Sequence, residues 1–292
     1  MMKSTILFLA VFKWLCHCLK TIIKGAIKVK INLKSIYIII SAIFIIALPA
    51  NAQLLDLEVK GPGLHKMEII HPDGTLQRYI INIPESYDGS TAVPLIWGLH
   101  YGFQGMGEAQ TPEPYWTEGF FTKIYQQAFK PLNAIFVAAD SVKGNWETPE
   151  NETAAMRLMD SIIARYNIDA NKTIVTGYSM GGFGTWHWAS KFQDRFAGAI
   201  PIAGMPVSMS TFREDGKFLD VDWQIPLYII HSEEDGLIDI EPTKKYVKQL
   251  KAEGKDVTFQ ILTVITHHQE NLLPEPMGKT VPWIKNVWNN TN

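Results

Sequence analysis

Cysteine is scarce in this chain: there are two cysteines among 292 residues, and both, Cys16 and Cys18, lie near the N-terminus. This scarcity excludes a disulfide framework or a cysteine-based metal site for the rest of the chain. The histidines beyond this region lack ligand-like spacing with acidic residues, so we expect neither a metal site nor another cofactor. The fold must therefore be stabilised by its own hydrophobic core.

Acidic side chains are absent from the first 52 residues, which contain seven lysines. This basic segment ends in an apolar run, residues 35–50, followed by Asn51 and Ala52. The order is typical of a secretory leader cleaved near Gln53, which predicts a secreted or periplasmic protein. The run is also shorter than the ~20 apolar residues that a spanning helix needs. Because a second apolar patch precedes it, an uncleaved membrane anchor stays open as an alternative.

Positive charge is in the minority after this leader. Residues 53–292 hold 20 of the 27 Lys and Arg and all 29 Asp and Glu, which gives a formal charge of roughly −9. Such an acidic protein is not expected to bind nucleic acid or an anionic lipid surface. A chain of about 240 residues buries about 70–75% of its unfolded surface, so we predict one catalytic domain over residues 53–292. The oligomeric state stays open.

Short runs of apolar, often β-branched residues recur along this domain and predict strands. They cover residues 67–71, 77–83, 92–100, 133–140, 172–178, 196–204, 225–231 and 257–265. Continuous apolar strands indicate a sheet that is covered on both faces. Between them, residues 151–167 and 241–255 have apolar side chains at helical spacing. We therefore predict an α/β fold: a mainly parallel, eight-stranded sheet with helices on both faces and an antiparallel hairpin at its N-terminal edge.

A glycine-flanked serine lies where the fifth predicted strand meets a helical pattern. The sequence there is Gly177-Tyr178-Ser179-Met180-Gly181. A serine on such a strand–turn–helix junction projects its Oγ above the sheet, and a Cβ on either flanking glycine would clash across the bend. The backbone N–H of Met180, at the start of the helix, can face a developing oxyanion. We predict Ser179 as the nucleophile; the alternative is an ordinary serine at a glycine-rich helix start.

An acid and a histidine follow this serine in the order that such a hydrolase requires. Asp235 lies just after the seventh predicted strand, and we choose it over the three other acids of the same loop. The base must follow the last strand, where His267 and His268 are neighbours. Because adjacent side chains point in different directions, only one of them can meet both the serine and the acid. Both histidines stay open on this reasoning.

Three loops complete the predicted site. The loop after the third strand offers the backbone N–H of Tyr101 or Gly102 as a second oxyanion donor, while His100 is expected to order that loop. Trp146, after the fourth strand, is predicted to contact substrate by stacking on a sugar ring or a feruloyl group, and the alternative is a place in the core. The irregular segment 205–224 is predicted to form a wall of the binding site.

With these residues in view, the chain resembles the α/β-hydrolase superfamily, in particular the secreted esterase and predicted-peptidase branch near feruloyl esterases and polyhydroxybutyrate depolymerases. The similarity is most specific over residues 167–204. It implies Ser179 as nucleophile, Asp235 as acid and, from the spacing after the last strand, His267 as base. The implied oxyanion donors are the N–H groups of Met180 and Tyr101.

The chain departs from the pattern of that branch in three places. The usual His-Gly-Gly segment of the oxyanion loop is His100-Tyr101-Gly102, the usual His-Gly before the acid is His231-Ser232, and the usual glycine before the catalytic histidine is Thr266. The resemblance implies a secreted serine esterase that forms an acyl-enzyme on a small-molecule or polysaccharide-linked ester. A serine peptidase and a non-catalytic binding module on the same fold stay open as alternatives.

Overall fold

A computed structural model describes residues 54–103, 110–212 and 216–291; the predicted leader, residues 1–52, lies outside this part of the chain. Each predicted strand coincides with an observed one. The strands are β1 (Gly63–Ile70), β2 (Leu76–Ile83), β3 (Val93–Leu99), β4 (Ile135–Ala139), β5 (Ile168–Tyr178), β6 (Gly198–Ile202), β7 (Leu227–Ser232) and β8 (Val257–Leu262).

The helices lie mostly between strands. They are α1 (Trp116–Phe120), a π-helical segment (Phe121–Tyr125) that leads into α2 (Gln126–Phe129), α3 (Pro149–Arg165), α4 (Met180–Lys191), α5 (Glu241–Ala252), α6 (Pro274–Gly278) and α7 (Val281–Asn290). The predicted helices over residues 151–167 and 241–255 are confirmed as α3 and α5. In the ranges that the structure describes, no helix is long and apolar enough to cross a membrane.

One sheet contains all eight described strands, in the order β1-β2-β4-β3-β5-β6-β7-β8. Strand β2 is antiparallel to both of its neighbours, β1 and β4, and every other pair is parallel. The predicted mainly parallel sheet with an antiparallel hairpin at one edge is confirmed. In a parallel sheet the carboxyl ends of the strands meet at one edge, so the loops after β3, β4, β5, β7 and β8 gather there.

Helices pack on both faces of the sheet, as predicted. Along β3, Trp97 belongs to the core beneath α3, α4 and α5, while its neighbour Ile96 belongs to the core beneath α1, α2 and α7. Both side chains are almost completely buried. Because alternate residues of a central strand enter different cores, the strand has no polar face, and each such side chain contributes roughly 2–3 kcal/mol to folding.

Candidate active site

Ser179 lies on the sharp turn between β5 and α4. Its backbone has φ 57° and ψ −118°, a conformation that non-glycine residues rarely adopt and that stores strain. Two hydrogen bonds hold this turn: the Ser179 N–H donates to the Ile202 carbonyl at 2.9 Å, and the Phe183 N–H donates to the Ser179 carbonyl at 3.0 Å. The strained serine is therefore set at the carboxyl end of a central strand.

Two glycines make this turn possible by leaving room for neighbouring backbone. A Cβ added to Gly177 would lie 2.3 Å from the carbonyl oxygen of Gly181, and a Cβ added to Gly181 would lie 1.9 Å from that of Leu99. Both distances are far below van der Waals contact. The turn packs so closely against β3 that neither position has space for a side chain, which is the reason the motif needs glycine on both sides of Ser179.

The structure brings Ser179, His267 and Asp235 into one hydrogen-bonded row. Ser179 Oγ is 2.8 Å from His267 Nε2, and His267 Nδ1 is 2.7 Å from Asp235 Oδ2. The other carboxylate oxygen of Asp235 accepts the backbone N–H groups of Leu237 and Ile238 at 3.0 and 2.8 Å. Both the acid and the imidazole are largely buried. The carboxylate is thus fixed by its own loop and directed at the histidine.

The charge state of Asp235 determines which histidine nitrogen faces the serine. Burial raises the pKa of Asp235, but hydrogen bonds from His231, His267 and the Ile238 N–H outweigh burial and hold this pKa well below its usual range. An ionised carboxylate only accepts hydrogen bonds, so Nδ1 of His267 carries the ring proton. The lone pair of Nε2 therefore faces Ser179 Oγ and can take its proton.

The second histidine of the pair has different surroundings. His268 is exposed, its ring is nearly perpendicular to that of His267, and the ring centroids are 5.6 Å apart. By contrast, the His267 ring stacks on Tyr178, whose hydroxyl donates to the His267 carbonyl oxygen. Of the two neighbouring histidines, the structure brings His267 to the serine and the acid.

The backbone around Ser179 supplies donors for an oxyanion. Met180 is the first residue of α4, so its N–H has no acceptor within the helix. Across the cavity, Tyr101 and Gly102 border the same space as Ser179. Within the described ranges, neither Met180 nor Tyr101 donates its backbone N–H to another backbone carbonyl. These groups are therefore free to stabilise negative charge that develops next to Ser179.

His100 orders the loop that carries Tyr101, as expected. Its ring is completely buried; Nε2 accepts the Ser141 backbone N–H at 3.0 Å, and Nδ1 is 2.7 Å from the Tyr101 carbonyl oxygen. Because Nε2 is an acceptor here, Nδ1 bears the proton and donates it to Tyr101. Burial lowers the pKa of His100 to about 4, although the bond to Tyr101 raises it. His100 is therefore neutral at pH 7.

We expect the contribution of His100 to lower the free energy of unfolding as the pH falls from about 6.5 to about 4. Its pKa is about 4 in the folded chain against an ordinary value of 6.5, so in this window only the unfolded chain takes up the proton. The resulting loss below pH 4 is about 3 kcal/mol of unfolding free energy. Asp140 opposes this trend because burial raises its pKa to about 6.

The opposing contribution of Asp140 cancels when the wild type is compared with His100→Asn. Urea unfolding of both proteins at pH 7 and pH 4.5 provides the measurement. Between these two pH values the variant should lose roughly 2 kcal/mol less stability than the wild type. Parallel pH profiles for the two proteins would contradict the assignment of this effect to His100.

A cavity of about 400 Å³ opens above Ser179. Its lining is mostly apolar and is formed by Tyr101, Phe103, Tyr178, Met180, Phe183, Met209, Phe212, Leu237 and Ile238, with Ser179, His267, His268 and Glu270 as polar members next to Gly102. Met209 and Phe212 come from the segment that was predicted as a wall. An apolar cavity with a few convergent polar groups is the usual form of a small-molecule site.

Trp146 does not contact this cavity. Its side chain is only 1% exposed, and its indole N–H donates to the His100 carbonyl oxygen at 2.9 Å. The prediction that Trp146 stacks on substrate is therefore wrong, because the loop after β4 directs the ring into the core behind the oxyanion loop. The cavity is instead lined by Phe103, Phe183 and Phe212, which were not predicted as site residues from the sequence. The one available signal was that Phe212 lies within the predicted wall.

A metal centre does not form in the part of the chain that the structure describes. Within residues 54–103, 110–212 and 216–291, no group of three or more His, Cys, Asp or Glu side chains is arranged to hold an ion.

Comparisons with known proteins agree with this architecture. The model of a family described as phospholipase/carboxylesterase matches residues 143–278. A solved structure of an α/β serine hydrolase without a lid, from Xanthomonas campestris, aligns with a TM-score of 0.55 at 14% identity, over 80% of this chain and 98% of that one. The chain has the α/β-hydrolase fold. In this fold Ser179 follows β5, Asp235 follows β7 and His267 follows β8.

Two curated proteins are similar to this chain in sequence. A probable feruloyl esterase C of Aspergillus terreus is 31% identical over 139 residues, which are 45% of this chain and 48% of the relative. Poly(3-hydroxyalkanoate) depolymerase C of Paucimonas lemoignei is 31% identical over 135 residues, 40% of this chain and 29% of the relative. The chain thus spans half or less of the length of these two relatives.

Proposed function

We propose that this chain is a serine esterase of the α/β-hydrolase superfamily and that it cleaves carboxylic esters. The observation that carries this proposal is the row Ser179–His267–Asp235, with 2.8 and 2.7 Å between successive polar atoms. The row lies at the base of an open, mostly apolar cavity in which an ester can reach Ser179 Oγ. The similarity to a feruloyl esterase and to a depolymerase of poly(3-hydroxyalkanoate), a polyester, supports the same reaction class.

The geometry suggests how the reaction proceeds. His267 Nε2 takes the proton of Ser179 as Oγ attacks the ester carbonyl, and Asp235 stabilises the imidazolium that forms. The N–H of Met180 and an N–H of the Tyr101 loop stabilise the oxyanion. His267 then gives its proton to the leaving alcohol, which releases the alcohol and leaves the acyl group on Ser179. A water molecule, activated by His267 in the same way, attacks the acyl-enzyme and frees the acid.

The lining of the cavity favours esters with an apolar or aromatic part. Phe103, Phe183 and Phe212 can pack against such a group, while the exposed ring of His268 and the Glu270 carboxylate offer polar contacts at the same cavity. Esters attached to a polysaccharide fit this combination. Export through the predicted leader, residues 1–52, would bring the enzyme to such substrates outside the cell.

A panel of substrates tests the proposal on the purified wild-type protein. We expect p-nitrophenyl acetate, methyl ferulate or acetylated xylan to be hydrolysed. For an aminoacyl p-nitroanilide we expect a kcat/KM at least about a hundredfold lower than for the best ester. Faster cleavage of the anilide than of every ester would indicate a peptidase. No turnover of any ester would contradict the esterase proposal and favour a binding module.

A further inference from the structure

Trp146 lies between the two parts of the backbone that can stabilise an oxyanion. On one side its indole N–H donates to the His100 carbonyl oxygen, in the loop that continues to Tyr101. On the other side the ring packs against Gly184 of α4, the helix that begins with Met180. We infer that Trp146 is a positioning residue for the oxyanion hole: it orients the N–H of Tyr101 and sets the spacing between that loop and α4.

The His100 carbonyl and the Tyr101 N–H belong to the same peptide group. A trans peptide is planar, so its C=O and its N–H point in opposite directions. Because the indole of Trp146 holds the His100 carbonyl at 2.9 Å, it also fixes the direction of the Tyr101 N–H. An edge contact between the Trp146 and His100 rings, with centroids 4.8 Å apart, further restricts the loop.

Trp146 also packs against α4, the helix that follows Ser179. A Cβ on Gly184 would lie 2.5 Å from Cβ of Trp146, so the absence of a side chain there is what lets the ring sit directly against α4. The position of Trp146 is itself held, because the Trp188 indole donates to the Trp146 carbonyl at 2.8 Å and the two rings are perpendicular. Trp146 therefore acts as a rigid spacer between α4 and the oxyanion loop.

The neighbouring peptide is anchored by different groups. The Tyr101 carbonyl oxygen accepts from His100 Nδ1 at 2.7 Å and from the Trp116 indole at 3.2 Å. Loss of one of these donors leaves the other in place. The His100 carbonyl, by contrast, accepts a side-chain hydrogen bond only from Trp146 among the described residues. The loop is therefore expected to be most sensitive to the indole N–H of Trp146.

This inference rests on the proposed esterase function, because the oriented N–H of Tyr101 aids catalysis only when negative charge develops next to Ser179. A removed oxyanion donor costs about 10²- to 10³-fold in kcat, and a donor that is present but misdirected costs less. Replacing Trp146 with phenylalanine keeps an aromatic ring in the core and removes the indole N–H. We expect kcat for p-nitrophenyl acetate to fall about tenfold to a hundredfold, with KM changed less than about threefold.

A tetrahedral inhibitor separates this role from simple loss of structure. A phenylboronic acid bound to Ser179 places an oxygen where the oxyanion forms, so its affinity for Trp146→Phe should fall by about the same factor as kcat/KM. Active-site titration gives the concentration of folded, active protein, so that kcat is expressed per active site. The matched control is Trp288→Phe, which removes another buried indole N–H, in α7 and in the core on the other face of the sheet. The control should keep the wild-type kcat per titrated site.

The outcomes are distinguishable. An active wild type together with a Trp146→Phe variant whose kcat and boronate affinity stay within twofold of the wild type would overturn the inference alone. An inactive wild type would overturn the proposed function and the inference with it. If Trp146→Phe does not fold, Gly184→Ala replaces it in the test: its Cβ displaces the ring while the indole is retained, and the same loss of kcat at nearly constant KM is expected.

Discussion

Replacing Ser179 with alanine is expected to lower kcat for p-nitrophenyl acetate by about 10⁶-fold and to abolish covalent labelling by a fluorophosphonate probe. The hydroxyl that is removed is the one 2.8 Å from His267 Nε2, and no acyl-enzyme can form without it. Binding should change little, because the apolar lining of the cavity is untouched. Steady-state kinetics and mass spectrometry of the labelled protein provide the measurements.

The control for this variant is Ser86→Ala. Ser86 is an exposed serine, distant from Ser179 in the sequence, whose hydroxyl donates to the Asn133 side chain. It should be labelled and should hydrolyse ester at the wild-type rate. In the wild type, the labelled peptide should contain Ser179. Labelling of Ser179→Ala at the wild-type rate would show that another residue is the nucleophile, and the proposed mechanism would have to be abandoned.

The strands of this fold could be predicted because a strand that is buried on both faces consists of a continuous run of apolar residues. Residues such as Ile96 and Trp97 face different cores, so their strand is apolar throughout and is easily recognised. Helix α3 was recognisable by its apolar stripe. Helices α1 and α2 were not predicted, since they are short, are joined by a π-helical segment and have few turns over which a pattern can repeat.

Some features of the candidate site depend on residues that are neighbours in the sequence, and others depend on residues that meet only in the folded chain. The sharp turn at Ser179 could be predicted because its requirements are adjacent in the sequence: the end of a strand, two glycines and the start of a helix. Of the cavity wall, the segment that contains Phe212 could be predicted, but Phe103 and Phe183 could not, since they come from separate segments and meet Phe212 only in the folded chain. Trp146 is an example of a side chain whose surroundings could not be predicted from the local sequence. A tryptophan in a loop after a strand has the same local sequence whether it faces substrate or, as here, the core.

The choice between the two neighbouring histidines also depended on long-range geometry. Neither side chain differs from the other in type, and both follow β8 in one loop. What distinguishes them is that Asp235, 32 positions earlier, accepts a hydrogen bond from His267 at 2.7 Å, while Tyr178 stacks on the same ring. His268 is left exposed beside the cavity. The two positions are therefore expected to respond very differently to mutation.

Replacing His267 with alanine should lower kcat by about 10⁴- to 10⁶-fold, whereas His268→Ala, its matched control, should lower kcat by less than about tenfold. The first variant removes the group that takes the Ser179 proton and the partner of the buried Asp235 carboxylate. The second removes an exposed ring perpendicular to it. Stopped-flow and steady-state assays with p-nitrophenyl acetate measure both. The reverse ranking would assign the base to His268.

The double variant Ser179→Ala, His267→Ala extends this test, because groups that act as one unit do not contribute additively. If His267 works only by activating Ser179, removing it from a protein that already lacks the serine hydroxyl should cost almost nothing further. The residual rate of Ser179→Ala, which comes from binding and from the oxyanion donors, should then be unchanged within about threefold. A further large loss would mean that His267 also activates water directly, and the acyl-enzyme route would then account for only part of the catalysis.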